Sequence, residues 1–131
     1  MGPEIGPAVP IRDGWRAVVL LVDDDPDTLE ALSEAIAERG VEVVTAVDGS
    51  EALALLRGGL RPTAVFLDSW MPNVDGRSVL RALRSDPAFE ALPVVWMSAE
   101  GGQSPAGTGS LPKPIDVDQL NALLRDYCQG H

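Results

Sequence analysis

The chain has 131 residues, 45% of them hydrophobic, and a formal net charge of −10. That length suits one domain with a substantial core, and the acidic balance speaks against direct nucleic-acid binding, which needs clustered lysine and arginine at the phosphates. A single cysteine, Cys128, excludes an internal disulfide framework; with no visible secretory signal and no run near the ~20 apolar residues of a membrane span, a cytoplasmic location away from membranes is expected.

Residues 1–16 hold three prolines and three glycines without periodicity, and read as a flexible arm. A domain over 17–128 is expected to follow, with 129–131 as a tail. Ala17-Val18-Val19-Leu20-Leu21-Val22 is a buried-strand run. It ends in Asp23-Asp24-Asp25-Pro26-Asp27, where Asp25 or Asp27 suits a helix cap and Pro26 a first turn. Asp23 and Asp24 are not needed for capping. Asp23, Asp25, Asp27 and Glu34 also fit four positions of a calcium loop, but Thr28 stands where that loop needs glycine, and a strand precedes instead of a helix.

Apolar residues at Leu29, Leu32, Ala35 and Ile36 predict a helix over 28–39, closed by Gly40. A strand over 41–46 and a helix over 49–57 follow, the helix stopped by Gly58-Gly59. Thr63-Ala64-Val65-Phe66-Leu67-Asp68 is apolar on both faces and ends abruptly in a carboxylate, the pattern of a central strand in a covered parallel sheet. Asp75-Gly76 opens a third helix, with Val79, Leu80 and Leu83 on its core side. A fourth strand over 92–97 ends at Ser98-Ala99.

The alternation then calls for a fourth helix. Residues 100–109 offer four glycines, one proline and no apolar face, so a loop is expected to replace it. Ser110-Leu111-Pro112 reads as a very short fifth strand, followed by Lys113-Pro114. Asp116 caps a last helix over 117–127, with Leu120, Leu123 and Leu124 inward. Such alternation demands right-handed crossovers, hence an α/β fold with a doubly wound, five-stranded parallel sheet.

In a parallel sheet the strand ends share one edge, where α/β folds place their chemistry. Asp23, Asp24, Asp68, Ser98 and Lys113 all stand at such ends, and Lys113 is the only lysine among ten basic residues. Gathered carboxylates repel unless a hard cation relieves them, and Mg²⁺ with oxygen ligands fits. The set suits phosphoryl transfer: Asp68 as nucleophile, Mg²⁺ against developing charge, Ser98 and Lys113 on the remaining oxygens.

Val22-Asp23-Asp24-Asp25, Leu67-Asp68, Met71-Pro72 with Asp75-Gly76, Met97-Ser98-Ala99 and Lys113-Pro114 together resemble a bacterial response-regulator receiver domain, of the single-domain chemotaxis and sporulation-relay type, over about residues 17–127. The resemblance implies a flavodoxin-like sheet in the order 2-1-3-4-5. It implies a phosphoryl group taken onto Asp68 from a sensor histidine kinase or phosphotransfer protein, self-catalysed dephosphorylation, and signalling through a downstream protein partner. It further implies Mg²⁺ held by Asp23, Asp24, Asp68 and the Trp70 backbone carbonyl, Ser98 as switch hydroxyl, Lys113 as phosphate-binding lysine, and a cis Lys113–Pro114 bond. Trp70 lies where the family tunes phosphoryl lifetime, and its bulk is expected to slow the attacking water.

The chain departs from the pattern between Ser98 and Lys113, where fourteen residues stand in place of a whole helix and strand. The aromatic switch position falls on Ser110. A receiver fold that binds a partner without phosphorylation is therefore the alternative function. A phosphohydrolase of the haloacid-dehalogenase type also uses a strand-end aspartate, but wants a second aspartate where Trp70 stands.

Overall fold

A computed structural model of the chain describes residues 17–71, 74–99 and 104–128. The expected flexible arm and tail, residues 1–16 and 129–131, lie outside the described residues. In chain order the elements are β1 (Val18–Val22), α1 (Pro26–Ala37), β2 (Glu42–Ala46), α2 (Gly49–Arg57), β3 (Ala64–Asp68), α3 (Gly76–Arg84), β4 (Val94–Ser98), β5 (Gly109–Pro112) and α4 (Val117–Cys128).

The five strands form one parallel sheet in the order β2-β1-β3-β4-β5. Every position of β3 and β4 is buried, as their apolar sequences require of strands covered on both faces. The alternation of side chains sorts the core into two layers. Val19, Leu21, Phe66, Val95, Met97 and Leu111 meet Leu32 and Ile36 of α1 and Leu120 and Leu124 of α4. Leu20, Val22, Val65, Leu67, Val94 and Trp96 meet Leu56 of α2 and Val79 and Leu83 of α3 on the other face. Each fully buried leucine contributes about 1.5–3 kcal/mol relative to an exposed one.

Among the described residues, an aspartate starts each helix. Asp25, Asp48 and Asp75 accept from the backbone N–H of Asp27, Glu51 and Ser78 at 3.3, 2.8 and 2.9 Å. Asp116 accepts from Asp118 N–H at 2.7 Å. Glu51 returns the favour at α2, accepting from Val47 N–H at 2.7 Å. With Asp25 as cap and Pro26 at the first turn, α1 begins ahead of its apolar stripe rather than at Thr28. Gly40 follows α1 with φ 81°, a left-handed turn that glycine adopts without steric cost.

The expected loop in place of a helix between β4 and β5 falls partly on residues 100–103, outside the described residues. On the described side of that connection, Ala106 and Gly107 form a turn. A fourth helix is present in the fold: it is α4, and it follows β5. No described helix is long and apolar enough to cross a membrane.

Candidate functional site

The carboxyl edge of the sheet is built by register. Val22 of β1 pairs with Leu67 of β3, so the next residues, Asp23 and Asp68, emerge side by side. Asp68 pairs with Met97, which sets Ser98 one step further along β4, and Ser98 pairs with Pro112, which delivers Lys113. The N–H of Lys113 donates to the Ser98 carbonyl at 2.7 Å, continuing the ladder past β5.

Asp23 is fully buried and held at every polar atom described for it. Its N–H donates to the Ala46 carbonyl at 3.1 Å, its Oδ1 accepts from Asp25 N–H at 2.9 Å, and its Oδ2 accepts from Lys113 Nζ at 2.7 Å. The same ammonium donates to Asp68 Oδ1 at 3.3 Å, and the Trp70 N–H approaches that oxygen at 3.5 Å. One cation thus spans two carboxylates from two strands. Asp24 stands exposed at the rim, and one carboxylate oxygen each from Asp23, Asp24 and Asp68 lie within 4.8 Å of one another.

The electrostatics follow from burial. Desolvation first, and then the charge of Asp23, push the Asp68 carboxyl above its ordinary range, with Lys113 opposing. Burial alone would lower the Lys113 ammonium; the hydrogen bond to Asp23 and the charges of Asp68 and Asp23 outweigh it and hold the group above the usual lysine value. A carboxylate kept partly dry beside a fixed cation is the chemical character of this pocket. Its donors are carboxylate oxygens, one of them at the solvent edge, a set that fits a hard divalent ion retaining several waters.

Of the residues singled out in the sequence, Asp23, Asp24, Asp68 and Lys113 come together directly. Ser98 is buried at the same edge, placed there by register. The Trp70 side chain does not cover the pocket: it is 73% exposed, and its backbone N–H is what engages Asp68. The Lys113–Pro114 bond is cis. Ser110 is exposed on β5, opposite Trp96 in register. The pair Asp75-Gly76 signals a helix start in the sequence, and nothing in one chain's sequence shows that Gly76 packs on the Asp68 backbone, as it does here.

A doubly wound parallel sheet whose strand ends gather carboxylates around one lysine is the architecture of a signalling receiver domain. Residues 19–125 match the response regulator receiver domain, and the chain belongs to that family. It is 36% identical over 116 residues to response regulator Rre1 of Synechocystis sp., covering 82% of this chain and 50% of that protein. It therefore spans about half the length of that relative. Over 117 residues it is 35% identical to an uncharacterized 14.6 kDa protein of Leptolyngbya boryana, covering 84% of this chain and 88% of that one. The crystal structure of a putative response regulator from Chloroflexus aurantiacus superposes with a TM-score of 0.79 at 28% identity, covering 86% of this chain and 97% of the other.

Proposed function

We propose that the chain is a phosphoacceptor of two-component signalling, taking a phosphoryl group onto Asp68 from a histidine kinase or phosphotransfer protein and passing the signal to a downstream protein partner in the cytoplasm. The observation that carries this reading is the Lys113 ammonium, 2.7 Å from Asp23 and 3.3 Å from Asp68 inside a cluster of three carboxylates. A lysine so placed can leave two carboxylates for an incoming phosphoryl oxygen without losing charge partners.

Asp23, Asp24, Asp68 and the Trp70 backbone carbonyl would hold Mg²⁺. Bound there, the ion would supply positive charge against the equatorial oxygens of the group in transfer. Asp68 Oδ attacks phosphorus in line with the donor imidazole. The P–N bond breaks, the electron pair returns to the ring nitrogen, a proton joins it, and an aspartyl phosphate forms. Lys113 and the Ser98 hydroxyl donate to the phosphoryl oxygens. Water reverses the state by attacking phosphorus, which releases inorganic phosphate and restores the carboxylate.

The test is the intact mass of the protein after acetyl phosphate, with and without Mg²⁺. One added phosphoryl group that needs Mg²⁺ and is lost in Asp68→Asn is the expected result. A folded protein that takes none would instead favour a phosphorylation-independent interaction module. The exposed Ser110, at the position where an aromatic switch residue is expected, is the observation on that side.

A further inference from the structure

We infer that Gly76 is a positioning residue for Asp68, and that the room left by its missing side chain sets where the pocket carboxylate stands. A Cβ on Gly76 would lie 2.5 Å from the Asp68 carbonyl oxygen, 3.1 Å from Ser69 Cα and 3.2 Å from the Ser69 carbonyl oxygen. All three are backbone atoms, so none can swing aside as a side-chain tip would. The need is for space and not for an unusual dihedral angle, since Gly76 is the first residue of α3 and no left-handed φ is involved.

The consequence reaches the pocket through few bonds. Asp75 fixes the start of α3 by accepting from Ser78 N–H at 2.9 Å, and Val79 and Leu83 bury its core side. The helix start is thus held, and so is the end of β3, where Ser69 N–H donates to the Met97 carbonyl at 2.8 Å; whatever part of the clash is relieved at β3 moves Asp68 directly. Carbon and oxygen rest at ordinary contact near 3.5 Å, so relief requires a displacement of about 1 Å. Asp68 Oδ1 is 3.3 Å from Lys113 Nζ, whereas Asp23 holds the same ammonium at 2.7 Å. A shift of β3 changes the Asp68–Lys113 distance, while the Asp23–Lys113 contact, made from β1, is not moved by it directly.

The inference rests on Asp68 being the phosphoryl acceptor, and its test separates the two claims. The variant is Gly76→Ala, with Mg²⁺ affinity read from tryptophan emission, acetyl phosphate labelling read by intact mass, and thermal unfolding. The comparison is Gly49→Ala, whose Cβ would meet the Val74 carbonyl oxygen at 2.5 Å and Val79 Cγ2 at 2.6 Å; it presses on α3 from the α2 side without touching the Asp68 or Ser69 backbone, and so separates general strain on α3 from a direct push on β3. For Gly76→Ala the expected result is Mg²⁺ binding weakened about tenfold and labelling slowed on the order of 100-fold, as misplacement by an ångström does. Gly49→Ala is expected to lower the melting temperature and leave Mg²⁺ affinity in place.

Equal Mg²⁺ affinity and labelling in Gly76→Ala and the parent protein would overturn the inference, as would equal losses of both in the two variants. Should Gly76→Ala fail to fold, Ser69→Gly in the same chain loosens the opposing backbone, whose clashing atoms stay in place, and Ser69→Gly alone is the reference. Recovered folding with weakened Mg²⁺ binding supports the inference, and recovered folding with unchanged binding and labelling overturns it. A parent protein that binds Mg²⁺ but is never labelled removes the acceptor role and leaves the positioning effect on Mg²⁺ standing or falling by its own measurement.

Discussion

Asp68 carries two conflicting demands. As the proposed phosphoryl acceptor it has to be ionised, yet burial and Asp23 hold its carboxyl above the ordinary value of 3.8. A carboxyl with a raised folded value ionises first in the unfolded chain. Its contribution to stability is whole below pH 3.8 and is lost as the pH rises through the raised value. Asp68→Asn is therefore expected to melt higher than the parent protein at pH 7 without divalent ions, the gap narrowing as the pH is lowered. A lower melting temperature at pH 7 would refute the crowded-carboxylate account. Trp70→Ala addresses lifetime. The indole is exposed, so it can slow hydrolysis only by folding over a phosphorylated Asp68, and faster loss of the label is the expected outcome. Cys128 is buried in the α1–α4 layer, which pushes its thiol up to about 11. Iodoacetamide at pH 8 is expected to modify it slowly in the native protein and rapidly in urea, because the thiolate is the reactive form.

Helices and strands divide the work between holding and aiming. The strands aim: register alone brings Asp23, Asp68, Ser98 and Lys113 to one edge. The helices hold, and their aspartate caps account for why so many carboxylates at this edge are not part of the pocket. Asp48→Ala removes the cap of α2 away from Asp68, with an expected cost of about 1 kcal/mol in chemical denaturation and no change in labelling. Element type and order were legible because the apolar runs are short, β-branched and punctuated by glycine. So was the pocket, because each of its residues terminates such a run. What stayed hidden depends on distances between elements. The glycine reading of Asp75-Gly76 stops at helix initiation, since a close approach to Ser69 exists only once α3 is packed on β3. The outward turn of the Trp70 ring is hidden for the same reason: an aromatic beside an acidic run reads the same whether it caps the pocket or faces water.

The whole molecule carries a net charge of −10 and gathers three of its carboxylates at one edge of the sheet. Mg²⁺ is therefore expected to stabilise the fold, by about 1.4 kcal/mol when free ion is tenfold above its dissociation constant. Thermal melts across an MgCl₂ series, matched for ionic strength with NaCl, measure it. A flat response would mean that the carboxylate cluster does not bind the ion in the folded state.

The single lysine has a practical corollary. A reagent that acylates primary amines has one side-chain target in this sequence, and that target stands between two carboxylates at the carboxyl edge of the sheet. An ammonium held protonated by those neighbours resists acylation, so the speed of the reaction reports how tightly the pocket grips it. Lys113 thereby offers a chemical footprint of occupancy, readable by peptide mapping in a mixture where no purified kinase or partner is at hand.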